Sequence, residues 1–473
     1  MIRALYSIAM WLSLPLLKRK LKRRGVAEPG YLQAIDERFG RYATAVPPHA
    51  GPTLWIHAVS LGETRAAAVL IAALRRQLPD MRLLLTHGTA TGRAEGAKLL
   101  RAGDLQAWQP WDTVGATQRF LSHFKPQIGV LMETEIWPNL VHSCKLSQMP
   151  LVLANARLSD KSLRQTEKLA WLARPAYAEL SSVWPQTAQD AQRFHQLNAP
   201  VRAVFGNLKF DATVDASQVA QGRAWRTQAA KPVVMFASSR EGEELALLQI
   251  LKTFSPLAQI NKGQTAIDVV VNQIQWLIVP RHPQRFEAVA EMIQAHGFAV
   301  SRRSSWGAQG PGKSLDAAAA AVNPGSVAVS GNGNADAQGV APTVWLGDSL
   351  GEMALYFGLA DVALLGGSFE PLGGQNLIEA AACGCPVVMG PHTFNFAEAA
   401  EQARQAGAAL RVADLAQAVT LAGELITDAN RLASARQACG DFTQAHRGVA
   451  QQLARAIVQV MQAPVAVLVP AVR

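Results

Sequence analysis

The sequence predicts an α/β protein in which two doubly wound, parallel-sheet halves follow one another. Its length of 473 residues exceeds what one hydrophobic core usually fills, so at least two domains are expected. Short apolar runs alternate with stretches of helical periodicity, which is typical of parallel sheets covered by helices. The hydrophobic fraction of 49 % is ordinary for a globular protein and excludes a largely disordered chain.

The strand-like runs fall into two series, separated by a polar stretch near residues 211–231. The first series occupies residues 53–59, 82–86, 128–132 and 151–154. The second occupies residues 233–237, 276–280, 343–346, 362–365 and 387–389. We therefore expect two Rossmann-like domains, 25–215 and 216–473, that face each other across a ligand-binding cleft at the carboxyl ends of their strands.

The segment 307–343 departs from this pattern, because 17 of its 37 residues are Gly or Ala and none is aromatic. Such a segment buries too little surface to offset the entropy that is lost on ordering. Its composition predicts a flexible insertion within the second domain.

The amino terminus carries most of the charge. The net charge is +10, and the first 24 residues contain seven Lys or Arg and no acid. Residues 4–17 are uncharged and mostly apolar, whereas a spanning helix needs roughly 18 or more such residues. The basic cluster follows the apolar stretch, which is the reverse of a cleaved signal peptide. We expect residues 1–24 to form a helix dipped into one leaflet, with its basic residues on anionic phospholipids and the rest of the chain in the cytoplasm.

A loosely ordered basic arm is the alternative for this segment. Nucleic acid is not expected as a partner, because neither a recognised nucleic-acid motif nor an interleaved aromatic and basic surface is evident. The four cysteines have no disulfide or zinc spacing, which favours a reducing compartment.

The first candidate catalytic motif is the turn Ser60, Leu61, Gly62 and Glu63, which follows a predicted strand and opens a helix. A carboxylate at the carboxyl edge of the sheet can take a proton from an attacking hydroxyl. Ser60 and Glu63 also have the spacing of a capping box, and the helix dipole is expected to lower the pKa of the carboxyl group. From spacing alone, both a base and a cap remain open.

Two further polar motifs follow neighbouring strands of the first series. Glu133 and Glu135 come after residues 128–132, where they either line a polar pocket or form the acidic first turn of a helix. Asn155 and Arg157 come after the next strand, where Arg157 either faces an anion or is solvated.

The second half has the pattern of a nucleotide-sugar site. Ser238 and Ser239 follow a strand and precede a helix, whose first amides are a natural phosphate site. One strand–helix–strand unit then contains glycine turns, a helix start and a carboxylate one turn into that helix. No P-loop and no dinucleotide-binding glycine fingerprint is present, which argues against a dehydrogenase. The remaining candidates are Arg281, His282, Gly366, Gly367, Ser368, Asn376 and Glu379.

Taken together and in this order, the motifs closely resemble those of the bacterial 3-deoxy-D-manno-octulosonic acid (Kdo) transferases. The match covers about residues 50–400 through segments 57–63, 133–139, 155–159, 206–211, 238–244, 280–286, 347–352, 366–379 and 390–396. Gln375 and Arg240 depart from the family pattern, since histidine is expected at both positions.

The resemblance implies a GT-B glycosyltransferase on the cytoplasmic face of the bacterial inner membrane. It implies inverting transfer of Kdo from CMP-Kdo to a lipid A precursor, lipid IVA, without a metal or other cofactor. Glu63 matches the family's base. The donor site matches Ser238, Ser239, Arg281, His282, Gly366, Gly367, Ser368, Asn376 and Glu379. Other residues expected on the acceptor side are Ser60, Gly62, Glu133, Glu135, Asn155, Arg157 and Lys209.

Two functions from other classes remain open at this point. A nucleotide-sugar epimerase can use the same two-domain fold, but it needs no apolar and basic arm. A membrane-surface binding protein with a degenerate site is the other alternative, and it would release no CMP.

Overall fold

The computed structural model describes residues 2–43, 45–254, 270–311 and 342–463. The chain divides into two compact units. The first unit comprises the described parts of Met1–Ala212 and His446–Arg473, and the second unit is Thr213–Ala445. Most of the expected insertion, 307–343, lies outside the described residues, so its flexibility stays a prediction.

The first unit contains a six-stranded parallel sheet in the order β3-β2-β1-β4-β5-β6. Leu54 and Ile56 pack into the core on one face of the sheet, and Trp55 packs into the core on the other. Because both faces are covered by helices, the central strands read as continuous apolar runs. The strands are β1 (Thr53–His57), β2 (Arg82–His87), β3 (Leu105–Trp108), β4 (Ile128–Met132), β5 (Leu151–Ala156) and β6 (Ser182–Pro185).

Eight helices of the first unit precede the second unit in the chain. Several of them begin at a side-chain cap, such as Ser60 before α2 and Thr113 before α4. They are α1 (Ile2–Ala27), α2 (Leu61–Gln77), α3 (Ala90–Ala97), α4 (Val114–Phe124), α5 (Pro138–Leu146), α6 (Asp160–Glu167), α7 (Ala170–Ala178) and α8 (Ala188–Gln196).

The second unit contains a seven-stranded parallel sheet in the order β13-β12-β11-β7-β8-β10-β9. Its strands are β7 (Val233–Ser239), β8 (Gln275–Pro280), β9 (Ala299–Arg302), β10 (Thr343–Leu346), β11 (Val362–Leu365), β12 (Val387–Met389) and β13 (Ala409–Arg411). Its α-helices with both ends described are α9 (Ala216–Gln228), α10 (Glu243–Thr253), α11 (Phe286–Ala295), α12 (Met353–Leu359), α13 (Leu377–Ala382), α14 (Ala397–Gln405), α15 (Leu415–Thr427) and α16 (Ala429–Ala445). The expected α/β class with two parallel sheets is confirmed.

The last described helix, α17 (Val449–Gln462), belongs to the first unit and not to the second. Assignment of the whole of 216–473 to the second domain is therefore wrong for this helix. Its apolar face, with Val449, Leu453 and Ile457, joins the same core as Leu70 of α2. The carboxylate of Asp211 accepts hydrogen bonds from the first amides of the helix, which holds its amino end on the first unit.

Helix α1 is held against the first unit by polar and apolar contacts. The Tyr6 hydroxyl donates to Asp112 at 2.8 Å, and the Ser7 hydroxyl donates to Asn139 at 2.9 Å. Leu21 is buried near the end of the helix. In the part of the chain that the structure describes, no helix combines the length and the apolarity needed to cross a membrane.

Candidate active site

Polar side chains of the first unit gather at the carboxyl edge of its sheet. Strands β1, β4 and β5 are direct neighbours in that sheet. From β1 the strand order runs through β2 and β3 to one edge, and from β4 it runs through β5 and β6 to the other, so the order reverses between β1 and β4. In such sheets ligands bind at this switch point. Glu63 follows β1, Glu133 and Glu135 follow β4, and Asn155 and Arg157 lie at the end of β5.

Glu63 and Ser60 form a variant of the capping box at the start of α2, in which the Glu63 carboxylate reaches the amide of Val59, one residue before the N-cap. Its amide donates to the Ser60 hydroxyl oxygen at 3.3 Å, and its carboxylate accepts from the Val59 amide at 2.7 Å and from the Ser60 hydroxyl at 3.2 Å. These bonds fix the carboxylate at the mouth of the β1–α2 turn. Gly62 is exposed in the first turn beside it. Capping and catalysis therefore use the same geometry and do not exclude one another.

The pKa of Glu63 is raised to about 7. Burial is the largest cause, the charges of Glu133 and Glu135 add to it, and the hydrogen bonds from Val59 and Ser60 oppose it. The depressed pKa that the helix dipole predicts is therefore wrong, because desolvation and like charge outweigh the capping bonds. A carboxyl group with a pKa near neutrality is a suitable general base at physiological pH.

Glu133 and Asn155 both adopt left-handed backbone conformations, with φ of +59° and +52°. Non-glycine residues in this region are strained, and such strain clusters at functional sites. The Glu133 amide donates to Ala154 and the Glu133 carbonyl accepts from the Arg157 amide, both at 3.1 Å. This pairing ties the ends of β4 and β5 together beside Glu63.

Lys209 lies with Glu133 and Arg157 in the same charged group. Burial lowers the pKa of the Lys209 ammonium group, the charge of Glu133 opposes that effect, and the charge of Arg157 adds to it. The structure therefore brings two cations, Arg157 and Lys209, and three carboxyl groups, Glu63, Glu133 and Glu135, together at one edge of the first sheet. This arrangement can hold an anionic or polyhydroxylated acceptor while Glu63 takes a proton.

Gln186, after β6, is a site residue that the sequence did not indicate. Its amide nitrogen Nε2 donates to the Asn155 carbonyl at 2.9 Å, and its Oε1 accepts from Asn207 at 3.0 Å. The Asn155 side-chain oxygen in turn accepts from the Leu208 amide at 3.0 Å. This network positions the loop that carries Lys209. No motif marks Gln186, and only its spatial neighbours identify it.

In the second unit the candidate donor residues also follow neighbouring strands. Strand β7 lies between β8 and β11. Ser238 and Ser239 lie at the end of β7, Arg281 and His282 follow β8, and the Gly366–Ser368 turn follows β11. The structure therefore brings three of the four predicted donor segments to one edge of the second sheet.

Arg281 and His282 are exposed in this group. The Arg281 guanidinium donates from Nε to the side-chain oxygen of Gln375 at 3.1 Å. Burial, and then the guanidinium groups of Arg240, Arg281 and Arg285, hold the pKa of His282 below its ordinary value. Both departures from the family pattern, Gln375 and Arg240, thus lie among these cations.

Ser239 and Ser368 face into the protein. The Ser239 hydroxyl donates to Glu244 at 2.8 Å, and the Ser368 hydroxyl donates to the Leu365 carbonyl at 2.6 Å and accepts from the Gly390 amide at 2.8 Å. Both residues are completely buried. Their side chains therefore shape the turns, and neither residue is exposed to a ligand in this structure.

Three amides in the turns that the sequence suggested for phosphate binding already donate hydrogen bonds within the protein. The carboxylate of Glu243 accepts from the amides of Arg240 and Gly367, each at 2.8 Å. The Gly366 amide donates to Ala237 at 2.9 Å. Gly366 itself is required by close packing, since a Cβ atom there would lie 2.3 Å from the Ser238 carbonyl oxygen. Because these amides are already bonded, the side-chain cations are the stronger candidates for binding an anion here.

Asn376 and Glu379 lie on the first turn of α13. The Asn376 side-chain oxygen accepts from the Ile378 amide at 3.2 Å, so Asn376 caps the helix. Asn376 is exposed, and Glu379 is half-buried one turn later. Asn376 and Glu379 therefore lie at the start of the helix that follows the glycine turn.

Comparisons with known proteins agree with this geometry. Residues 33–212 match the family model described as 3-deoxy-D-manno-octulosonic-acid transferase (kdotransferase). A 3-deoxy-D-manno-octulosonic acid transferase of Bordetella pertussis is 40 % identical over 457 residues, which are 95 % of this chain and 97 % of the relative. One of Haemophilus influenzae is 29 % identical over 429 residues and 90 % of each chain.

A crystal structure of a glycosyltransferase from Rickettsia africae has the same fold. It covers 88 % of this chain and 100 % of its own, with a TM-score of 0.51 and 11 % identity. At that identity the likeness concerns the fold alone. The near full-length relative at 40 % identity decides the family. The chain therefore belongs to the 3-deoxy-D-manno-octulosonic acid transferases and is a glycosyltransferase with a GT-B fold.

Proposed function

We propose that this enzyme transfers Kdo from CMP-Kdo to a hydroxyl group of the lipid A precursor lipid IVA, with inversion at the anomeric carbon. The observation that carries the proposal is Glu63, a half-buried carboxyl group at the sheet switch point whose pKa is raised to about 7 by burial. A nucleotide-sugar epimerase is disfavoured, because the family assignment is that of a transferase.

In the proposed reaction Glu63 takes the proton of the acceptor hydroxyl as its oxygen bonds to the anomeric carbon of Kdo. The bond between that carbon and the phosphate oxygen of CMP breaks, and CMP leaves with the electron pair. Attack opposite the leaving group inverts the anomeric carbon. Glu63 is left protonated and returns its proton to water. No step in this scheme requires a metal.

The second unit supplies the leaving-group side of the scheme. Arg281, with Arg240 nearby, provides the positive charge that stabilises the phosphate as CMP departs. His282, whose pKa is held below its ordinary value, is assigned as a neutral hydrogen-bonding group beside them. Asn376 and Glu379 are assigned to the nucleoside hydroxyl groups. Ser238, in a left-handed conformation with φ of +55°, turns the chain at the end of β7 and presents backbone to the donor.

The acceptor side is assigned to the charged group of the first unit. Arg157 and Lys209 are suited to the phosphates or carboxylates of a lipid-linked sugar, and Glu133 and Glu135 are suited to its hydroxyl groups. Because Glu133 and Glu135 also raise the pKa of Glu63, they tune the base while they bind the acceptor.

The direct test is a transfer assay with the purified full-length protein, CMP-Kdo and lipid IVA, with products resolved by mass. We expect lipid products heavier by one or more Kdo units, with one CMP released for each Kdo transferred. Consumption of CMP-Kdo without a heavier lipid would overturn the proposal. Conversion of the nucleotide sugar in the absence of any acceptor would support an epimerase instead.

Replacing Arg281 with glutamine is expected to raise the KM for CMP-Kdo about 10- to 100-fold, since hydrogen bonds to charged groups contribute roughly 1.5–3 kcal/mol. The matched control is Arg431→Gln on the exposed surface of α16, which should leave the KM unchanged. Steady-state kinetics with varied CMP-Kdo measure both. An unchanged KM in Arg281→Gln would remove Arg281 from the donor site.

Helix α1 is proposed to bind the cytoplasmic face of the inner membrane. Apolar side chains at helical spacing are exposed along the face opposite Tyr6 and Ser7, namely Leu5, Ile8, Leu12 and Leu16. The basic residues that follow are also exposed. Leu169 and Trp171, at the start of the neighbouring helix α7, extend the apolar surface. Apolar contact combined with a polybasic segment supports stable association with anionic lipid.

A further inference from the structure

A cavity of the first unit lies away from the candidate active site. Its volume is about 660 Å³, within the range of small-molecule sites. Its lining includes Thr53 and Arg82, the first residues of β1 and β2. The cavity therefore lies at the amino edge of the sheet, whereas Glu63 follows the carboxyl end of β1.

The lining of this cavity is basic. Arg82, Lys125, His49 and His123 contribute to it, and no Asp or Glu is among the lining residues that the structure describes. Lys125 is exposed, so its ammonium group remains hydrated and can turn towards a ligand. The Tyr42 ring stacks on the His123 ring with centroids 4.7 Å apart and forms a flat wall.

Arg82 is the unusual member of this group. Arg82 is only 5 % exposed, and its terminal nitrogen Nη2 donates to the Pro48 carbonyl at 3.1 Å. Its Nε is buried without a hydrogen-bond partner, and among the described residues no carboxylate forms an ion pair with it. A buried guanidinium without a counter-charge is costly, because desolvation is not offset by Coulomb attraction.

From these observations we infer that the cavity at the amino ends of β1 and β2 binds a small oxyanion-bearing ligand, a phosphate or a carboxylate, that supplies the missing counter-charge to Arg82. The arrangement suits an anion approached by Arg82 from the inner wall and by Lys125 from the solvent side. The ring pair of Tyr42 and His123 provides an apolar surface for the rest of the ligand. The inference does not depend on the transfer reaction, since it uses the opposite edge of the sheet.

The test measures binding of inorganic phosphate and of acetate to the full-length protein by calorimetry, in saturating CMP so that the donor site is occupied. We expect one of the two anions to bind wild-type protein, and Lys125→Gln to weaken that binding at least fivefold. Lys161→Gln, a change of equal charge on the exposed surface of α6, should bind like wild type. Preference for phosphate or for acetate then distinguishes the two ligand chemistries.

Arg82→Met removes the buried charge and should abolish binding of the anion. Because this variant can fail to fold, its thermal midpoint is measured first, and Lys125→Gln decides the question if Arg82→Met is unfolded. Equal anion binding by wild type and Lys125→Gln would overturn the inference, as would the absence of binding by both phosphate and acetate. Neither result would bear on transfer, which the Glu63 and Arg281 variants test.

Discussion

Replacing Glu63 with glutamine is expected to lower the rate of Kdo transfer by about 10²- to 10⁴-fold, the range that general-base catalysis contributes. Glutamine has nearly the shape of glutamate but does not take a proton from the acceptor hydroxyl. Binding of CMP-Kdo should be retained, since the donor residues lie in the other unit of the chain. Single-turnover transfer, together with CMP-Kdo binding by calorimetry, measures both quantities.

The capping role of Glu63 provides the internal control. The side-chain oxygen of glutamine still accepts the hydrogen bond from the Val59 amide, and its Nε2 can donate to the Ser60 hydroxyl oxygen in place of the bond that Ser60 donates to glutamate. The cap is therefore largely preserved, and α2 should remain folded. The Ser60→Ala variant removes the cap hydroxyl instead, and it should cost about 1 kcal/mol of stability with a smaller loss of rate. If Glu63→Gln transfers Kdo at the wild-type rate, Glu63 is a cap and another group is the base.

The raised pKa of Glu63 also predicts a pH dependence. Below about pH 7 the base is mostly protonated, so the rate should rise tenfold per pH unit and level off above that value. The folded protein holds this proton more tightly than the unfolded chain does. Stability contributed by the protonated form is therefore lost as pH rises from about 4.5 towards 7. Glu63→Gln should abolish this loss and be at least as heat-stable as wild type at pH 8.

The central strands were predictable from the sequence, and the edge strands were not. The predicted runs match β1, β2, β4 and β5 in the first sheet and β7, β8, β10, β11 and β12 in the second. The strands that were missed are β3, β6, β9 and β13, and each lies at an edge of its sheet. Edge strands are covered on fewer sides, so they tolerate polar residues such as Gln106 in β3 and Arg302 in β9, which interrupt the apolar run.

The site residues that follow a strand closely in the sequence were predictable. Glu133 and Arg157 come directly after strands, and Glu63 follows the turn after β1, so the order of strands alone brings them to one edge. Features that depend on spatial neighbours were not predictable. Examples are the raised pKa of Glu63, the link from Gln186 to Asn155, and the use of the Gly367 amide by Glu243. The place of α17 in the first unit depends in the same way on its long-range packing against α2.

Removing the exposed apolar face of α1 is expected to weaken binding to anionic vesicles at least about 100-fold. The variant replaces Leu5, Ile8, Leu12 and Leu16 with glutamine and leaves Tyr6, whose hydroxyl bonds Asp112, in place. Burying an aliphatic side chain contributes roughly 1.5–3 kcal/mol, so partial burial of four exceeds the ~2.7 kcal/mol that a 100-fold change requires. Deletion of residues 1–24 should have at least as large an effect.

Charge and apolar contact can be separated by salt. Replacing Lys20, Lys22 and Arg23 with glutamine should weaken vesicle binding at low salt, by up to about 1 kcal/mol for each charge. That loss should shrink as salt rises, because surface charges are screened within about 8 Å at physiological ionic strength. The loss in the apolar variant should be nearly independent of salt, and Leu350→Gln, which changes an exposed leucine of the second unit, should have no effect. Wild-type partitioning by the apolar variant would show that the apolar face of α1 does not enter the bilayer, because the variant changes only the four side chains of that face.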